Sequence, residues 1–159
     1  MLKKKMVPPL AAVAVLLSGL LAYKVFFPEP VERPFMLQPD NASFVAKGNA
    51  VYTESCASCH GANLAGEPNW RQRKPSGRLP APPHDETGHT WHHADIALFN
   101  LTKHGPQYVA GDNYESDMPA FDGVLSDDEI LAVLSYIKST WQPRERAAHD
   151  EINRRMVIQ

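Results

Sequence analysis

Cysteine is almost absent from this chain: its 159 residues contain two, Cys56 and Cys59. With no second C-x-x-C to pair with, a structural zinc site would have to lean on histidines. Strand-like alternation is missing ahead of Cys56, which removes the strand-to-helix setting that a thioredoxin-like redox motif requires. Acidic residues are missing from residues 1–27, which hold four lysines; 12 basic and 18 acidic residues remain from Pro28 onward, a formal −6. That sign argues against nucleic acid or acidic surfaces as partners and suits either a basic docking patch on another protein or plain solubility. Glycine is scarcer than proline, 9 against 14, so long stiff loops are expected. No nucleophile–base pairing or substrate-binding motif is recognisable, and no catalytic turnover is expected.

The two cysteines stand in Cys56-Ala57-Ser58-Cys59-His60, a C-x-x-C-H run that is the attachment signature of c-type haem. Two thiols three positions apart can each add to one haem vinyl group, which places the next residue under the iron. His60 is therefore the expected proximal ligand, and its second ring N–H needs an acceptor to fix tautomer and ring orientation. Leu79-Pro80-Ala81-Pro82-Pro83 is the expected source, because Pro80, Pro82 and Pro83 carry carbonyls without competing amide donors. Nothing in the sequence separates one carbonyl from another.

The N-terminus reads as a membrane segment. Lys3-Lys4-Lys5 precedes an apolar run from Met6 to Phe27, 22 residues broken only by Pro8, Pro9, Ser18, Gly19 and Lys24. As a helix at ~1.5 Å per residue it would be about 33 Å long, enough for a bilayer core. Leu10 to Leu17 alone is as short as a cleaved signal core, but no A-x-A site follows and no cysteine offers lipidation. The balance favours an uncleaved single-pass anchor, residues 1–27, in a bacterial inner membrane with the remainder on the periplasmic side. Cleavage would leave a soluble periplasmic protein. Residues 28–40 carry four prolines and read as an extended linker.

A domain over residues 41–141 is expected next. Its first helix should begin near Asn41 and run into the haem motif, with Phe44, Val45, Val51 and Tyr52 as apolar contacts and Gly48 and Tyr52 on one face. Gly61 to His89 has no helical or strand period, and a loop of that length is wrapped around something. A middle helix bearing Ile96, Leu98, Phe99 and Leu101 is expected with Thr90 as N-cap, stopped by Gly105-Pro106. Trp91, large and with one N–H donor, suits the haem edge and a propionate. A second loop, Pro106 to Gly123, ends in Asp117-Met118-Pro119; Met118, a soft neutral thioether in a stiff polar loop, is the candidate sixth ligand. Ser126-Asp127-Asp128-Glu129 is a capping box opening a helix with Ile130, Val133, Leu134, Ile137 and Trp141 on one stripe. Residues 142–159 form a polar tail, either a short extra helix or disordered.

In this order the elements resemble the class I, mono-haem cytochrome c family over about Asn41 to Trp141. The resemblance implies an all-α fold around one covalent haem c, Cys56 and Cys59 as the thioether pair, and His60 and Met118 as iron ligands. It also implies that the Gly48–Tyr52 face crosses the last helix near Leu134 and Ile137. One-electron transfer to redox partner proteins, among them a membrane respiratory complex, is the implied function. Two features are not general to that family: the histidine-rich Gly88 to His93 segment, and prolines at 80, 82 and 83. Two other readings stay open: a haem sensor or enzyme with a labile distal ligand, and a copper-handling module using His84, His89, His92, His93 and His104.

Overall fold

The computed structural model describes residues 36–111 and 113–157, and among these the regular structure is helical, with no strand. The expected membrane segment, residues 1–27, lies outside the described residues; among those described, no helix is long and apolar enough to cross a membrane.

Helix α1 (Ala42–Ser55) starts where Asn41 caps it, the Asn41 side-chain oxygen accepting from the Phe44 N–H. It buries Gly48, Val51 and Tyr52, while Phe44 and Val45 are half-buried. A single turn, α2 (Ala57–His60), carries the haem motif directly after it. No further regular element appears until a 3-10 turn at Thr90–His92. Helix α3 (Asp95–His104) follows and ends at Gly105, as expected, but Thr90 does not cap it: Ala94 holds the N-cap position with no side-chain bond. The Thr90 hydroxyl is engaged elsewhere, 2.9 Å from His84 Nδ1. The loop expected from Pro106 to Gly123 contains one short turn of helix, α4 (Gln107–Ala110).

Helix α5 (Asp127–Ser139) has the full capping box: the Glu129 N–H donates to Ser126 Oγ at 3.3 Å, and the Ser126 N–H donates to Glu129 Oε2 at 2.9 Å. Its stripe of Ile130, Val133, Leu134 and Ile137, with Trp141 beyond its end, is wholly buried. Helices α1 and α5 cross with their backbones in close approach. A Cβ on Gly48 would lie 2.0 Å from the Ala132 carbonyl oxygen and 2.9 Å from Tyr136 Cβ. Tyr52 meets the Tyr136 ring at 5.4 Å. Gly48 thus meets Ala132 and Tyr136, which bracket Leu134, while Leu134 and Ile137 share the core cluster with Tyr52, Val51, Leu98 and Phe99.

Residues beyond Trp141 form helix α6 (Pro143–Val157), the helical alternative for the polar segment. Pro143 suits a first helical position, where its missing N–H costs nothing. The helix docks through polar groups. His149 is fully buried, edge-on to Trp141 at 5.0 Å, and Asn153 exchanges two bonds with Asp95: it accepts from the Asp95 N–H and donates to Oδ1. Lys138 of α5, itself buried, reaches Asp150 at 2.5 Å. The end of the proline-rich linker is docked too: the Leu37 N–H donates to Asp95 Oδ2 at 2.8 Å and the Gln38 N–H to Ser135 Oγ at 2.9 Å.

His149 Nε2 stands 3.3 Å from Asp95 Oδ1 without hydrogen-bond alignment. Burial, and then the Lys138 ammonium, hold its pKa below the ordinary histidine value, against the pull of Asp95 and Asp150. The folded state therefore binds this proton less readily than the unfolded chain, so stability present above pH ~6.5 is lost as the pH falls below it. Urea midpoints should be level from pH 8 to 7 and decline between 6.5 and 5.5. His149→Gln should flatten that decline, and an equal slope in wild type and variant would contradict it.

Candidate haem site

The site grows from the end of α1. The Cys56 N–H donates to the Tyr52 carbonyl, continuing the helix, and the Cys59 and His60 N–H groups both return to the Cys56 carbonyl at 3.2 and 3.0 Å. That turn sets the two thiols and the imidazole on one short arc. Both cysteines are free thiols; Cys56 is half-buried and Cys59 exposed. Burial, with Cys59 beside it, pushes the Cys56 thiol up to about 11. Tyr52 ties the next residue down, its hydroxyl donating to the Gly61 carbonyl at 2.8 Å.

The proline-rich loop is pressed against this turn by close backbone approach. Gly66, at φ +69°, lies where a Cβ would come within 2.6–2.7 Å of the Ala81, Pro82 and Pro83 backbone, so only glycine fits. The Glu67 N–H donates to the Ala81 carbonyl, the Ala81 N–H returns to Glu67 Oε2 at 2.6 Å, and the His84 N–H donates to the Leu64 carbonyl. This lattice selects the acceptor the sequence could not: His60 Nδ1–H donates to the Pro82 carbonyl at 2.9 Å. A carbonyl can only accept, so Nδ1 carries the proton and Nε2 keeps a free lone pair. Burial lowers the pKa of His60, outweighing the Pro82 bond, and the ring is neutral as a ligand must be. Pro80 is buried nearby in the same loop.

Sequence groups His84 with the other histidines, but the structure gives its ring a different partner. Its ring stacks on His60, centroids 4.1 Å apart and planes 24° from parallel. Burial, then His60 and His89, hold it well below the ordinary histidine pKa. The remaining histidines take other aromatic partners: His89 stacks on Trp70 and meets His93 at 5.4 Å, His92 stacks on Trp91, and His104 lies by Tyr108. Among the described residues no group of three or more His, Cys, Asp or Glu is arranged to hold a metal ion.

Trp91 is half-buried, and its Nε1–H is buried without a hydrogen-bond partner. An unpaired buried donor costs roughly 1–3 kcal/mol, and a haem propionate is the acceptor that would satisfy it. Together with the paired thiols and the free Nε2 of His60, this donor fits a covalently held haem.

Met118 sits between two anchors. On one side Asp117 pairs with Arg78 at 2.7 Å and Lys74 at 3.3 Å, both on the loop that carries Pro80 and Pro82, and Lys74 also reaches Glu67. On the other, the buried Phe121 donates its N–H to the Thr102 and Lys103 carbonyls at the end of α3. The Met118 N–H donates to Ser116 Oγ at 3.0 Å, and the side chain is half-buried. The methionine loop is thereby joined to the loop that holds His60.

The sequence pattern of the family described as Cytochrome c matches residues 45–141. The chain is also similar to the "Cbb3-type cytochrome c oxidase subunit FixP" of Bradyrhizobium diazoefficiens, 29% identical over 96 residues. That alignment covers 59% of this chain and 29% of the relative, so the chain spans well under half of that protein's length. No solved structure matches.

Proposed function

Because this chain belongs to the cytochrome c family, we propose that it is a one-electron carrier in which Cys56 and Cys59 hold haem c and His60 and Met118 ligate its iron. Bound haem c supplies a one-electron iron couple; the protein decides who reaches it and at what potential. His60 offers Nε2 as the proximal donor, and Pro82 holds its tautomer. Met118 would supply a thioether as the second iron ligand, which favours reduced iron and raises the potential relative to a second imidazole. Trp91 Nε1–H would donate to a propionate. The Asp117–Arg78–Lys74 pairs keep Met118 in register with the proximal loop.

The observation that carries this reading is the 2.9 Å bond from His60 Nδ1–H to the Pro82 carbonyl, which leaves the other nitrogen of a buried imidazole free beside two paired thiols. The protein would work tethered by residues 1–27 to the bacterial inner membrane, on the periplasmic side. The similarity to a subunit of a cbb3-type oxidase supports a membrane respiratory complex as donor or acceptor.

Met118→Ala tests the distal ligand. The reduced wild type should exclude carbon monoxide at neutral pH and its oxidised form should show the methionine–iron charge-transfer band. The variant should bind carbon monoxide rapidly, lose the band and fall in potential. Rapid, complete binding by the wild type would favour an open-site sensor or enzyme instead, and a variant that keeps the band would remove Met118 as ligand.

A further inference from the structure

We propose that His84 is a positioning residue for the imidazole of His60, an inference that rests on His60 being the proximal ligand. A single hydrogen bond at His60 Nδ1 leaves that ring free to swing about the bond. What restrains the swing is a flat neighbour on its face, and His84 is that neighbour, 4.1 Å away and 24° from parallel.

His84 is itself held from three directions. Its Nδ1 is 2.9 Å from the Thr90 hydroxyl, which sets the ring's rotation. Its N–H donates to the Leu64 carbonyl at 2.7 Å, and its carbonyl accepts from Trp141 Nε1–H at 2.7 Å, fixing the backbone between the loop after the haem motif and the residue beyond α5. It follows Pro82 by two residues, so the bond that orients Nδ1 and the surface that orients the ring plane belong to one rigid segment. The Tyr52 ring stands edge-on to His84 at 6.3 Å and closes a further side. An aliphatic side chain here could fill the space, but it could neither present a flat face nor be locked in rotation by Thr90.

The consequence is chemical. The plane of an axial imidazole sets how the iron d orbitals split, and so the anisotropy of the ferric ion. A polar ring beside the ligand also eases the positive charge of oxidised iron more than a hydrocarbon does. Replacing His84 with leucine should therefore change the anisotropy and raise the potential.

The test uses the full-length holoprotein as His84→Leu, His84→Phe and Thr90→Val. Readouts are ferric electron paramagnetic resonance, the paramagnetically shifted haem-methyl signals and the midpoint potential. Expected are displaced g values and methyl shifts with a raised potential for His84→Leu, and a smaller displacement of g values and methyl shifts for Thr90→Val. His84→Phe keeps a flat face and should stay nearer the wild-type g values than His84→Leu. Wild-type g values, methyl shifts and potential in His84→Leu would overturn the proposal. If that variant yields no holoprotein, Thr90→Val decides alone, wild-type values again overturning it. The proximal assignment is checked separately: a His60→Ala protein with the wild-type visible spectrum would remove both readings, whatever the His84 variants show.

Discussion

Cys56→Ala combined with Cys59→Ala is expected to abolish covalent haem entirely. The mass of the purified protein should then equal that of the polypeptide alone, and any pigment should leave on acid–acetone extraction. Each single variant should keep one thioether and so retain its haem through extraction. The two positions are not equivalent, because Cys56 is half-buried with its thiol pushed up to about 11 while Cys59 is exposed. Losing Cys59 should therefore disturb packing less than losing Cys56, which touches the core cluster. A small domain leans on its prosthetic group for apolar mass, so the double variant should also be the least stable of the three. Haem that survives extraction from the double variant would refute the attachment site.

Gly48→Val should be the most damaging substitution far from the cysteines. The Cβ alone would meet the Ala132 carbonyl oxygen at 2.0 Å, a contact that backbone on backbone cannot relieve by a rotamer change. Overpacking typically costs ~1–3 kcal/mol, and here the two extra methyls add to a clash already below any real Cβ contact. At roughly 4–8 °C per kcal/mol for a domain near 100 residues, the melting temperature should fall by more than about 10 °C. Gly48→Ala should fall in the same direction by less. Because α1 runs into the haem-motif turn, both variants should also lower the yield of haem-loaded protein. An unchanged melting temperature in Gly48→Val would mean that α1 and α5 do not cross as closely as described.

The helices framing the site were legible because their signals are local. Asn41 and the Ser126–Glu129 box are caps that read the same in sequence and in space, and the Ile130–Ile137 stripe can face only one core. The exact point of contact in the crossing was not legible, because the smallest residue wins a close approach: Ala132 admits Gly48, while Leu134 and Ile137 share the core with Tyr52. Pro82 could not be told from Pro80, since carbonyl direction depends on how Gly66 and Leu64 grip the loop from another segment. His84 carries no local sign of its stacking on His60, 24 residues away. Helix α6 has no apolar stripe to announce it; it docks through His149 and Asn153, whose partners Trp141 and Asp95 lie on other elements.

The chain enters its domain at a point fixed by the far end of the sequence. Leu37 is bonded to Asp95, which Asn153 of α6 holds from the other side; Gln38 is bonded to Ser135 of α5, and Asp40 pairs with Arg146 of α6 at 2.7 Å. A force applied to the polypeptide before residue 36 thus meets α3, α5 and α6 before it can reach α1, whose last turn leads into the C-x-x-C-H arc. The leading segment is therefore braced against three helices, and the first of them, α3, also anchors the methionine loop through the Phe121 N–H.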